Sequence, residues 1–234
     1  MDNNYIISNY KELCEDISDK LKEINRSEDE ITLVAVSKTF PSGDVHRLFG
    51  EGHSVFGENK VQEMVKKYEE LPDDNIQWHL IGHLQTNKVK YITGFVTMIQ
   101  SVDSEKLALE IDRHAAQDKR RIDVLVQVNT SEEEQKSGIS ASDAPALMKK
   151  ISGMENLRLS GLMTIGMFTD DEDIIRQDFR ILKSLFDEYK PVYNDFKFLS
   201  MGMTSDYRIA LEEGSNMLRI GSAIFGKRNY NLKK

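Results

Sequence analysis

Eight short β-forming runs recur between residues 31 and 221, each separated from the next by a longer segment, and this alternation restricts the fold more than any other feature. The runs are Ile31 to Lys38, Ser54 to Gly57, Gln77 to Ile81, Met98 to Val102, Asp123 to Asn129, Arg158 to Thr164, Phe196 to Ser200, and Met217 to Gly221. The segments between them carry helix punctuation. Ser42 precedes Val45, Leu48 and Phe49, with Gly50 and Gly52 as stops, and Asn59-Lys60-Val61-Gln62 reads as an N-cap with a Gln three residues on. Ile174, Ile181, Leu182, Leu185, Phe186 and Tyr189 form one helical face, and Asp206 to Glu213 is closed by Gly214. A further helix, from about Asn9 to Lys22, precedes the first strand.

Strand and helix in strict alternation predict an α/β protein, a single (β/α)8 TIM barrel, which typically takes ~250 residues. The chain has 234, and no linker or low-complexity segment divides it, so residues 1–234 are expected to form one domain with a helical segment, 1–30, packed on the barrel. An open doubly wound sheet would want a glycine-rich turn after its first strand, and here that turn is Lys38-Thr39-Phe40-Pro41. A net charge of -8 without a Lys/Arg block argues against nucleic acid. No apolar run is long enough to span a bilayer and the amino terminus is polar, so a cytoplasmic protein is expected. The single cysteine, Cys14, excludes a disulfide framework and a cysteine-rich metal site.

In a (β/α)8 barrel the carboxyl ends of the strands share one mouth. Lys38 ends the first strand, where an amine that is partly desolvated and near other cations becomes a nucleophile toward aldehydes. The plainer alternative is a lysine that snorkels to water. The seventh run continues as Ser200-Met201-Gly202-Met203-Thr204-Ser205-Asp206 and the eighth as Arg219-Ile220-Gly221-Ser222. Each combines hydroxyls, a glycine and a helix start, a chemistry that binds phosphate without lysines, and two such runs at consecutive strand ends favour a phosphate site over ordinary turns. Arg219 is either a rim ion-pair partner or the residue that faces a cofactor ring. His79 and His83 lie four apart in a pattern that reads as strand and turn, so metal binding is not expected. His79 reads equally as a core residue, and His83 as lining the mouth. Asn59 either caps its helix or hydrogen-bonds a bound ring.

These motifs together resemble the YggS/PROSC family of pyridoxal phosphate homeostasis proteins. They are Ala35-Val36-Ser37-Lys38-Thr39, Phe56-Gly57-Glu58-Asn59, Trp78-His79-Leu80-Ile81-Gly82-His83, Leu199-Ser200-Met201-Gly202-Met203, and Arg219-Ile220-Gly221-Ser222. The resemblance implies a barrel like the amino-terminal domain of alanine racemase, and pyridoxal 5'-phosphate (PLP) carried on Lys38. It also implies phosphate contacts from Ser200, Gly221 and Ser222, and Arg219 facing the pyridine nitrogen. The expected cofactor-binding set is Lys38, Asn59, His83, Ser200, Met201, Arg219, Gly221 and Ser222. Thr204 stands where the family commonly has Ser, and the stretch Leu162-Met163-Thr164-Ile165-Gly166-Met167 lacks the family's small-residue and proline continuation.

The resemblance implies a homeostasis protein without established turnover, holding PLP as a Schiff base for buffering or delivery to apo PLP-dependent enzymes. The alternatives are a PLP-dependent amino-acid racemase-like enzyme and a phosphosugar enzyme with an aldolase-type lysine. A racemase needs a second acid/base, supplied in alanine racemase through a separate β domain. The sequence ends at Lys234 with no counterpart, which favours the carrier and a monomer. An arginine at the ring nitrogen keeps it unprotonated and the ring a weak electron sink, which points the same way. Lys136, in the loop after the fifth strand, is a candidate transient acceptor of the aldehyde.

Overall fold

The computed structural model describes residues 4–72, 75–131 and 137–226. The barrel strands are β1 (Thr32–Val36), β2 (Val55–Glu58), β3 (Gln77–Leu80), β4 (Met98–Val102), β5 (Ile122–Asn129), β7 (Leu157–Met163), β8 (Phe198–Ser200) and β9 (Met217–Ile220). Their pairing order, β4-β3-β2-β1-β9-β8-β7-β5, is closed by β4 against β5, and every pairing is parallel. A two-residue strand, β6 (Ile139–Ser140), extends β5 at the mouth and has no counterpart among the eight expected runs. All eight expected strands are present.

The outer layer holds α2 (Ser42–Gly50), α3 (Val61–Glu70), α4 (Glu105–Gln117), α5 (Ala144–Ser152), α6 (Glu172–Tyr189) and α7 (Tyr207–Glu212), with the short α8 (Ser222–Phe225) after the last strand. Between β3 and β4 the crossover carries only a 3-10 turn, Thr86–Tyr91. Helix α1 (Asn4–Glu23) precedes the barrel and begins five residues earlier than its amphipathic pattern suggests. Its buried stripe is Leu13, Ile17 and Leu21, and Ile6 extends it toward the amino terminus.

Capping explains several boundaries. The Ser104 side chain accepts from the Leu107 N–H to open α4, and Asp171 accepts from Asp173 and Ile174 to open α6. Asn59 does not cap α3. Lys60 occupies that position without a side-chain cap bond. On α6 the buried stripe is Ile175, Asp178, Phe179, Leu182 and Phe186, while Ile174 and Ile181 are half-buried at its edge. Burial of Phe179, Leu182 and Phe186 contributes roughly 1.5–3 kcal/mol each.

Two apolar layers result. The large one lies between sheet and helices, and a small one, Val34, Met98, Leu125, Met163 and Met217, fills the barrel interior. Gly161 shows how tightly the wall is built. Its φ is +151°, and a Cβ there would lie 1.8 Å from the Phe198 carbonyl oxygen, so only glycine lets β7 pass β8. Among the described residues, no helix is long and apolar enough to cross a membrane.

Candidate functional site

Strand order sets the site. β1 and β9 pair directly, with Val34 opposite Arg219 and Ala35 opposite Ile220, so the segments leaving the first and last strands emerge side by side. Between them opens a cavity of about 580 Å³ at the carboxyl ends of the strands, within the size range of small-molecule sites. Lys38, Asn59, Ile81, Arg219, Gly221 and Ser222 line it, with Thr204 and Ser205 from the β8–α7 loop. Ile165 and Phe168 stand at its rim, Phe168 being 95 % exposed.

Arg219 is buried yet faces this cavity. Its Nη1 donates to Ser200 Oγ at 2.6 Å and its Nη2 to the Thr164 carbonyl at 2.7 Å. Burial pulls its pKa down to about 10, against the charge of Asp206. The guanidinium therefore stays charged at neutral pH. Asp206 is itself pushed up by burial, and the Met203 N–H and Arg219 oppose that rise.

Behind Arg219 runs a directed chain of hydrogen bonds. Ser200 Oγ donates to Gln100 Oε1 at 2.7 Å, and the Gln100 amide meets His79 Nδ1 at 3.1 Å. Burial alone lowers His79 to about 3, so the ring is neutral and Nδ1 acts as the acceptor. His79 is a satisfied core residue, one of the two readings its sequence context allowed.

Lys38 lies two residues beyond β1, half-buried, in a turn whose next residue, Thr39, has φ +73°. A β-branched residue in that region costs about 1–3 kcal/mol, strain that clusters at functional sites. Below the turn sits an ionic cluster. Lys67 Nζ donates to Glu58 Oε1 at 2.5 Å and to the Ser37 carbonyl at 2.7 Å, and Ser37 Oγ donates to the same Glu58 oxygen at 2.6 Å. Burial pushes the Glu58 carboxyl up, against the pull of Lys67 and Ser37.

Of the eight expected cofactor-binding residues, Lys38, Asn59, Arg219, Gly221 and Ser222 come together on one cavity. Asn59 is held close by Gly82, where a Cβ would sit 2.3 Å from the Asn59 carbonyl oxygen. The other three lie elsewhere. Ser200 is fully buried and engaged with Gln100 and Arg219, so it supports the arginine from below the cavity floor. Met201 is packed in the core. His83 has a 60 % exposed side chain, with Nδ1 4.0 Å from Asp103 Oδ2. Lys136 lies outside the described residues.

Three contributors escaped the sequence reading. Gln100 is a polar residue inside the β4 run, and Lys67 follows Val61 and Met64 at i+6 and i+3 on the buried stripe of α3. Both signals are visible in retrospect as polar groups at apolar positions. Phe168 has no such signal.

The barrel and its lysine-arginine cavity define the class first: residues 14–229 match the family model described as "Alanine racemase, N-terminal domain". An alanine racemase of Clostridium difficile superposes with a TM-score of 0.77 at 13 % identity, covering 97 % of this chain and 58 % of its own, a likeness of fold. A curated relative from Aquifex aeolicus, named pyridoxal phosphate homeostasis protein, is 40 % identical over 225 residues, covering 93 % of this chain and 99 % of its own. PipY of Synechococcus elongatus PCC7942, whose structure was solved with PLP bound, superposes with a TM-score of 0.79 at 30 % identity, covering 90 % of this chain and 100 % of its own. The chain belongs to the family of pyridoxal phosphate homeostasis proteins.

Proposed function

We propose that this protein binds PLP and holds it as a Schiff base on Lys38, buffering the cofactor or delivering it to apo PLP-dependent enzymes. The observation that carries this reading is the meeting of a lysine amine, a buried arginine and a hydroxyl- and glycine-lined wall on a single cavity.

The residues fit the cofactor part by part. Gly221 approaches β1 closely, since a Cβ there would lie 3.3 Å from the Val36 carbonyl oxygen, and beside it Ser222, Thr204 and Ser205 offer hydroxyls to a phosphate. The Thr204 hydroxyl also accepts from the Ala223 N–H at 3.4 Å, which ties the β8–α7 loop to the start of α8. Arg219, held by Ser200 and Thr164, would offer only N–H donors, and no acceptor, to a pyridine nitrogen. It would therefore leave that nitrogen unprotonated. Bound PLP supplies a reactive aldehyde and, in this setting, only a weak electron sink.

Bound PLP would supply an aldehyde within the same cavity as the Lys38 amine, which would hold it reversibly. Such a hold would store the aldehyde without turnover. The relatives' naming as homeostasis proteins accords with a carrier.

Absorbance tests the reading. The purified protein loaded with PLP is expected to show an imine band that borohydride bleaches, to lose it in Lys38→Ala, and to restore activity to an apo PLP enzyme on mixing. A wild-type chain that neither takes up PLP nor forms a reducible imine refutes it.

A further inference from the structure

Two peptide groups flank the Lys38 Cα, and helix α3 holds both. The carbonyl of the preceding peptide, Ser37 C=O, accepts from Lys67 Nζ at 2.7 Å. The N–H of the following peptide, Thr39 N–H, donates to Glu63 Oε1. Lys67 and Glu63 are themselves paired at 3.0 Å, four residues apart on α3. One helical turn therefore grips the backbone on both sides of Lys38, next to Thr39 with its positive φ.

We infer that Lys67 and Glu63 are positioning residues that fix the φ and ψ of Lys38 and so aim its amine at the cavity. This rests on the carrier reading above, because the aim matters only if Lys38 engages an aldehyde.

Burial supports the assignment. Lys67 is 3 % exposed and Glu58 fully buried, and a buried ion pair is a poor way to gain stability compared with apolar packing. Its contacts converge on the segment around Lys38. They end on Ser37, Glu58 and, through Glu63, Thr39. A lysine side chain has four rotatable bonds, so an amine that must meet one carbon gains most from a fixed backbone origin.

The test uses the protein loaded with PLP. Glu63→Ala removes the hold on Thr39, and Glu63→Gln keeps an acceptor there without the charge. Glu63 is partly exposed, so both variants should fold. Lys67→Met removes the hold on Ser37. Three quantities are read: the pH midpoint of the imine band, its decay rate with hydroxylamine, and amide hydrogen exchange at Thr39.

We expect Glu63→Ala and Lys67→Met to shift the midpoint and speed the decay by between about tenfold and a hundredfold. Glu63→Gln should restore both toward wild type, and the Thr39 amide should lose protection in Glu63→Ala. Wild-type midpoints and decay rates in Glu63→Ala and Lys67→Met would overturn the inference, whatever happens to their melting temperatures. If wild type itself forms no reducible imine, the carrier reading fails and the inference falls with it, while Thr39 exchange still reports whether the backbone grip exists.

Discussion

His79 makes a quantitative demand on the pH dependence of stability. It is buried inside the barrel with Gln100 on Nδ1, and burial alone holds its pKa near 3 against an ordinary 6.5. The folded state thus refuses a proton that the unfolded chain accepts. Stability from this residue is complete above pH 6.5 and declines as pH falls, down to the folded pKa near 3. At pH 5 the unfolded histidine is about 97 % protonated and the folded one almost wholly neutral, a loss of about 2 kcal/mol relative to pH 8. A folded pKa one unit higher leaves that figure nearly unchanged. The perturbation is His79→Asn, whose Oδ1 offers Gln100 a non-titrating acceptor in place of Nδ1. Urea unfolding of both chains at pH 8 and pH 5 measures the difference, and His53, also lowered by burial, contributes equally to both. Wild type should lose about 2 kcal/mol more than the variant. Equal losses would refute the burial of a neutral imidazole and, with it, the directed chain from His79 through Gln100 and Ser200 to Arg219.

Three further substitutions separate wall, rim and seam. Gly161→Ala places a Cβ 1.8 Å from the Phe198 carbonyl at a positive φ, and should destabilise the barrel by about 3 kcal/mol or more in chemical denaturation. Phe168→Ser, at a side chain 95 % exposed, should leave the denaturation midpoint within about 0.5 kcal/mol of wild type. Asn9→Ala removes the bond from its amide to the Ile224 carbonyl of α8, 3.1 Å long. It should cost about 1 kcal/mol and accelerate PLP release, measured by trapping with an apo-enzyme.

The barrel was legible because strand and helix periods differ and each switch is punctuated, so all eight strand runs could be placed from residues alone. What escaped depends on contacts distant in sequence. The β6 pairing needs β5 beside it, and the β3–β4 crossover has the polarity of a helix yet only a 3-10 turn. Asn59 carries the right side chain to cap α3 but sits one residue too early, and is committed instead to the cavity wall. At the site, strand-end position was enough to bring Lys38, Arg219, Gly221 and Ser222 to one cavity. It did not reveal that Ser200 is buried, since a hydroxyl at the end of a strand can point inward as readily as toward the mouth, and here it bonds to Gln100 and Arg219.

The wall of the candidate site and the closure of the barrel are built at the same place. Lys38 leaves the first strand and Gly221 and Ser222 leave the last, and the two strands pair with each other, so no half of the chain contains the site. Helix α1 straps that seam from outside: Tyr5 Oη donates to the Phe225 carbonyl at 3.2 Å and Asn9 to the Ile224 carbonyl. Phe40, just past Lys38, stacks on Phe225 of α8 with ring centroids 5.2 Å apart. On the proposed reading, a ligand joined to Lys38 and resting on Ser222 would bridge the same two strands, so its binding energy would add to closure, by about 2.7 kcal/mol at a hundred times its dissociation constant. The chain stripped of PLP should therefore exchange amide hydrogens first along β1 and β9, and the loaded chain should regain protection there rather than uniformly.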